Sequence, residues 1–244
     1  MPKVNVSFNL PHPVYNMISR VKHIFKPVLP LPQRNLVAER DIEWSWVSAN
    51  IPNGKGRALD FGPGGSYLSL TLAHKGYDVT AVDLMPIRWY HRLPNVNLIQ
   101  GDLLQLPLED DSFDVILVCS TVEHVGIVGR YNITQHEADG DLDAMRKLHN
   151  LLKTNGTMLL TCPVGHDAVF PPLHRVYGSK RLPQLLEGYQ VEHEEFWIKN
   201  EENCWIPCDK ETAFAFEPYS YAPNGAYSCY ALGAFILRKR SHTS

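Results

Sequence analysis

The chain predicts an α/β fold: a doubly wound, mostly parallel sheet of seven strands, with helices on both faces and an antiparallel hairpin at one edge. Three observations carry this. Residues 57–85, RALDFGPGGSYLSLTLAHKGYDVTAVDLM, read as strand, glycine turn, helix and strand, with Asp60 and Asp83 closing the two strands. Further strand-length apolar runs then alternate with connecting segments, one of them a clear amphipathic helix. Two β-rich runs, 191–198 and 227–238, close the chain and suit an antiparallel pair at the sheet edge.

Taken in order, residues 1–32 hold six prolines, which forbid a long continuous helix. Within them Val14, Met17, Ile18, Val21, Ile24 and Phe25 recur at helical spacing, with Arg20, Lys22 and Lys26 on other faces. That short segment is too weakly basic for a membrane-surface helix. It reads as an arm, either a lid or a dimer contact, so a homodimer is among the expectations, and the main domain is expected over 33–244. Gln33 to Ser48 is expected as a helix with Leu36, Trp44 and Val47 inward and Glu39, Arg40 and Glu43 outward.

The first strand is expected at Ala58–Asp60 and the second at Val79–Val82, ending in Asp83. A loop or short helix over Pro86–Arg92 leads to the strands Val96–Gln100 and Phe113–Cys119. Asp141 to Leu152 is an amphipathic helix with Leu142, Met145, Leu148, Leu151 and Leu152 on its buried side. Asp139 or Asp141 is its expected cap and Asn155-Gly156 its stop. The fifth strand is Thr157–Cys162, and Leu182–Leu186 is a short helix ended by Gly188.

Composition narrows the function. A chain of 244 residues at 44% hydrophobic content suits one large core. A net charge of −3 without a long Lys/Arg run leaves no electrostatic footprint for nucleic acid. The five cysteines are an odd number, and Cys119 and Cys162 fall in expected core strands, which favours reduced thiols and a cytoplasmic setting. Cys204 and Cys208 alone do not complete a zinc site. There is no signal peptide and no apolar run of about 18 residues, so a soluble protein without a membrane partner is expected.

Glycines in the first turn let backbone N–H groups approach a ligand. Asp83, 21 residues beyond Gly62, suits the two hydroxyls of a ribose. A nucleoside-containing cofactor follows. A dinucleotide fingerprint needs a further glycine inside the helix, where this chain has Leu68 and Ser69. Asp60 before the turn repels a pyrophosphate but pairs with an ammonium. Both points disfavour an NAD-dependent oxidoreductase.

The segment Asp60 to Ser66 resembles motif I of the class I S-adenosylmethionine-dependent methyltransferases, [DE]-x-G-x-G-x-G, with Ser66 where the third glycine usually stands. The resemblance implies their Rossmann-like sheet and S-adenosylmethionine as cofactor. It puts Asp60, Gly62, Pro63, Gly64 and Gly65 at the methionine part, Asp83 and Leu84 at the ribose, and Cys119 beside the cofactor at the end of the fourth strand. Asp102 and Leu103 are implied at the adenine amino group and ring; the alternative for Asp102 is a turn acid that caps a helix.

A sulfonium methyl is already activated, so such an enzyme mainly aligns a nucleophile, and a base is needed only when that nucleophile must lose a proton. Ser120-Thr121-Val122-Glu123-His124 lies at the carboxyl end of the fourth strand, where such sheets place ligands. His124 is the expected base, with Glu123 beside it; the alternative is that both begin a helix and bond locally. The stretch from Ser120 to Tyr189, with its H-R-x-Y-G element at His174–Gly178, is similar to a subgroup related to the DUF268 family. That resemblance implies Arg130, Tyr131, His174, Arg175 and Tyr177 on the acceptor side. His136, Glu137, Asp139 and Asp141 are a formal metal set, but solvated loop acids are the preferred reading, and no metal is expected. The function expected is O- or N-methylation of a polar small molecule. The alternative is a non-catalytic module that keeps the cofactor fold, against which stands the complete set of Asp60, Gly62, Gly64, Asp83 and Asp102.

Overall fold

The computed structural model describes residues 39–89, 92–129, 131–200, 204–220 and 228–240. The expected arm over 1–32 and Arg130 lie outside the described residues. Five strands run parallel: β1 Gly56–Phe61, β2 Tyr77–Asp83, β3 Val96–Gln100, β4 Phe113–Cys119 and β5 Leu152–Val164. A small hairpin follows, β6 Ala168–Phe170 and β7 His174–Val176, and then β8 Tyr189–Lys199 and β9 Trp205–Cys208. A second small pair, β10 Tyr219–Ser220 and β11 Ser228–Cys229, precedes β12 Ala231–Lys239.

The main sheet has the order β3-β2-β1-β4-β5-β12-β8-β9. The expected antiparallel pair is β8 and β12, with β12 inserted between β5 and β8 and antiparallel to both. β9 adds an eighth strand at the edge, antiparallel to β8. Its Pro207 blurred the strand signal, yet an edge strand tolerates proline because one side of its backbone has no partner. Strand order reverses between β1 and β4, which opens a crevice at their carboxyl ends.

Helices cover both faces. Against one lie α1 Glu39–Asn50 and α2 Leu68–His74, whose Val47, Leu68 and Leu72 pack on Ala58, Val79 and Leu117. Against the other lie α3 Gly140–Leu151, α4 Arg181–Leu185 and α5 Lys210–Phe214, which bring Leu148, Leu182 and Ala213 onto Leu59, Ile116 and Leu160. β4 and the second half of β5 are buried on both sides, which explains their unbroken apolar runs. Each fully buried leucine of these layers contributes about 1.5–3 kcal/mol. Among the described residues no helix is long and apolar enough to cross a membrane.

Three local expectations are corrected. In α1, Glu43 faces inward and is fully buried, while Trp44 is only partly covered. Hydroxyl partners just after β4 and on β5 make burial of the acid tolerable: Glu43 Oε1 accepts from Ser120 Oγ and from Thr161 Oγ1 at 2.8 Å. In α3, Asp139 makes no capping bond, because Asp139 and Asp141 both turn to Arg181. Asn155, at φ +66°, does not end that helix; it lies within β5, which already pairs Leu152 with Phe113 and then shifts register.

Candidate active site

The turn after β1 follows from its glycines. Gly62 has φ +69° and Gly64 φ +51°, a region that L side chains rarely adopt. A Cβ at Gly62 would stand 2.2 Å from the Thr121 side chain, so glycine also permits the close approach of the β4 loop. Above Gly64 and Gly65 the space is open, since a Cβ at Gly65 would meet nothing within 4 Å. That makes a cradle for a ligand.

The cradle is one wall of a cavity of about 740 Å³ at the crevice between β1 and β4. Gly62, Pro63, Gly64, Gly65, Asp83, Leu84, Asp102, Leu103 and Cys119 all line it. Asp83 is held in place by two backbone donors, Gly64 N to Oδ2 at 3.1 Å and Met85 N to Oδ1 at 2.8 Å. A carboxylate has about four acceptor sites, so capacity for a diol remains. Asp102 Oδ1 accepts from Leu104 N at 3.0 Å, so its carboxylate closes a turn as well as facing the cavity.

His124 and Tyr131 line the same cavity. His124 sits in a short 3-10 turn, Val122–His124, directly after β4. Its Nδ1 is 2.6 Å from the Leu173 carbonyl, which can only accept, so Nδ1 carries the proton and Nε2 keeps the lone pair in the neutral ring. Nε2 lies 3.6 Å from Glu123 Oε1. The Tyr131 ring meets the imidazole edge-on, with centroids 5.6 Å apart.

Five expected site residues do not line the cavity. Asp60 follows Ala58 by two residues on β1 and therefore faces α2. It is 1% exposed and accepts from Ser69 Oγ at 2.5 Å, turned away from any ammonium. Burial, more than the nearby Asp83, lifts its pKa from 3.8 to about 7. Glu123 is 2% exposed and stands behind His124. His174 packs behind it too, edge-on to His124 at 6.2 Å and to Tyr230 at 5.0 Å. Arg175 is buried and bonds backbone carbonyls, and Tyr177 belongs to the hydrophobic core, where burial pushes its phenol pKa well up.

Other residues line the cavity that the sequence reading missed: Arg40, Trp44, Thr121 and the stretch Asn132–Gln135. Arg40 is expected outward; its side chain is 42% exposed and also lines the cavity. Burial lowers the Arg40 pKa, but Glu43, Cys119, Glu123 and Glu39 together more than compensate, Glu43 most of them, with its Oε2 accepting from Nη1 at 3.0 Å. The spacing Arg40–Glu43, one helical turn apart, was the available signal. Asn132–Gln135 carried none, because a loop has no period. Among the described residues no three His, Cys, Asp or Glu side chains gather to hold a metal.

Residues 105–205 match the family model described as "Caenorhabditis protein of unknown function, DUF268". A ubiquinone biosynthesis O-methyltransferase of Xanthomonas axonopodis pv. citri is 34% identical over 185 residues, covering 72% of this chain and 70% of that protein. A Mesorhizobium loti S-adenosylmethionine-dependent methyltransferase superposes with a TM-score of 0.51 at 19% identity, over 81% of this chain and 97% of its own. The Burkholderia thailandensis 1,6-didemethyltoxoflavin-N1-methyltransferase, solved with S-adenosylhomocysteine, gives 0.50 at 16% identity, over 98% and 94%. Sheet order, glycine turn and sequence relatives agree, and the chain belongs to the class I S-adenosylmethionine-dependent methyltransferases.

Proposed function

We propose that the protein transfers a methyl group to a hydroxyl of a polar small molecule within the cavity between the glycine turn and His124. Methyl transfer from S-adenosylmethionine to a small molecule is the chemistry of its family; the acceptor atom and the residue roles are inferred here. When bound, the cofactor supplies an activated methyl on a sulfonium. Asp83 would accept from the ribose hydroxyls, Asp102 and Leu103 would flank the adenine, and Gly65 would be the turn's backbone donor to the amino-acid end, since Gly62 N donates to Val82 O and Gly64 N to Asp83 Oδ2. Arg40, which lines the same cavity, would pair with the carboxylate of that end. Asp83, Asp102, Leu103, Gly65 and Arg40 all line the cavity.

The observation that carries the hydroxyl reading is His124. Its protonated Nδ1 is committed to Leu173, so Nε2, 3.6 Å from Glu123 Oε1, is the basic nitrogen of a residue that lines the same cavity as the glycine turn. His124 takes the hydroxyl proton as the oxygen attacks, and the Glu123 carboxylate stabilises the imidazolium that results. A relative named for O-methylation supports oxygen as nucleophile; a structural neighbour named for N1 methylation shows that the fold also serves nitrogen. Tyr131, Asn132, Thr134 and Gln135 offer neutral hydrogen-bonding groups on the acceptor side. They suit a hydroxyl-bearing metabolite better than a nucleic-acid strand.

The test is methyl transfer from labelled S-adenosylmethionine to a fractionated metabolite extract, followed by kinetics of His124→Ala on the acceptor found. A kcat lower on the order of 10²–10⁴-fold with S-adenosylhomocysteine affinity nearly constant is expected. Full turnover in that variant would show that alignment suffices without this base.

A further inference from the structure

The H-R-x-Y-G run is the most distinctive element of the sequence outside the cofactor turn, and its Arg175 reaches neither cofactor wall nor cavity. Its guanidinium instead spans two separated pieces of backbone. Nη1 donates to Val125 O at 2.5 Å, and Nη2 donates to Glu137 O at 3.0 Å and Ala138 O at 3.2 Å. These carbonyls belong to the two legs of a loop, which also meet directly: Glu137 N donates to Gly126 O at 2.9 Å. Gly126 has φ +77°, and a Cβ there would stand 2.3 Å from Glu137 O, so the legs close only around glycine.

A second guanidinium completes the fastening. Arg181 donates from Nη2 to Ala138 O at 2.8 Å and from Nε to Asp141 Oδ2 at 3.1 Å. Asp141 is fully buried and serves both arginines, with Arg175 Nε 3.7 Å from its Oδ1. Buried charges of this kind persist only when paired and hydrogen-bonded. Beyond this neck the loop returns to the cavity with Tyr131–Gln135.

We infer that Arg175, with Asp141 and Arg181, is a positioning site that closes the neck of the 126–137 loop and thereby sets the acceptor-side wall of the cavity against His124. This rests on the reading of the cavity as the methyl-transfer site. The geometry requires arginine: a lysine ammonium is a point charge and cannot serve both legs as the planar fork does. Residue 175 therefore governs acceptor recognition without touching either substrate.

The experiment uses the full chain as wild type, Arg175→Lys, Arg175→Gln and Arg181→Gln, the last changing a partly exposed side chain. S-Adenosylhomocysteine binding is measured by calorimetry, hydrogen exchange is followed across 125–140 with β4 as reference, and the His124 imidazole resonances are recorded. Both Arg175 variants should exchange on the order of 10²-fold faster across the neck, as expected for lost charge-assisted bonds. Arg181→Gln should fall between them and wild type. The reference strand and S-adenosylhomocysteine affinity should stay within about twofold, and the His124 resonances should shift as the neighbouring Tyr131 ring moves. Unchanged neck exchange in every variant, or full protection in Arg175→Lys, overturns the inference. So does a rise in exchange that extends equally to β4 in all variants, Arg181→Gln included. Failure of the wild type to bind S-adenosylhomocysteine would sink the proposed function and leave the neck to be judged by exchange alone.

Discussion

Replacing Asp60 by asparagine should change the pH dependence of stability more than the binding of ligand. The carboxyl is wholly buried, bonded to Ser69 Oγ and close to Asp83, and its pKa stands at about 7 against an ordinary 3.8. A raised folded-state pKa on an acid means that ionisation favours the unfolded chain. Stability from this group is complete below about pH 4, is lost progressively as pH rises to about 7, and is constant above. The full span is a little over three pKa units, or about 4 kcal/mol at 1.36 kcal/mol per unit. Between pH 5 and pH 7.5 the two-pKa expression leaves about 2.5 kcal/mol of that loss. The asparagine amide cannot ionise and can still accept from Ser69. Asp60→Asn should therefore gain on wild type by that amount as pH rises across this interval, read from urea unfolding at constant ionic strength. S-Adenosylhomocysteine affinity should be unchanged, because the side chain faces α2. Parallel stability curves for the two proteins would refute the buried-acid argument, and a large loss of affinity would restore Asp60 to the cofactor site.

Three further outcomes are expected. Asp83→Ala should cost about 1.5–3 kcal/mol of S-adenosylhomocysteine binding by calorimetry, the scale of hydrogen bonds to a charged group; unchanged affinity would remove Asp83 from the ribose. Arg40→Ala should weaken S-adenosylhomocysteine on the order of tenfold or more, yet leave 5′-methylthioadenosine, which lacks the carboxylate, unaffected. Equal losses for both ligands would mean that Arg40 acts only through the packing of α1. Tyr177→Phe should be neutral or stabilising by about 1 kcal/mol in urea unfolding, because the phenol oxygen is buried with no hydrogen-bond partner among the described residues. A clear destabilisation would point to an ordered water at that oxygen.

By itself the sequence determined the sheet, the cofactor class and many of the residues that line the cavity at the strand ends. Those features rest on local rules: period-two and helical apolar patterns, a glycine turn that only certain φ values allow, and an acid at the tip of the next strand. Gly62, Asp83, Asp102 and Cys119 could be placed at the cavity because strand ends and their turns face the same crevice. The acceptor side followed no such rule. Arg175 and Tyr177 looked like pocket residues because they are polar and sit in a distinctive run, yet one fastens a loop neck and the other fills the core. Which way a side chain on a short, isolated hairpin strand points is set by what packs against it from distant segments, here Val125, Glu137 and Asp141 around Arg175. Glu43 and Arg40 make the same point on a helix: α1 could be read as amphipathic, but only the hydroxyls of Ser120 and Thr161, 77 and 118 residues away, decide that its acid goes inward and leaves the arginine at the cavity.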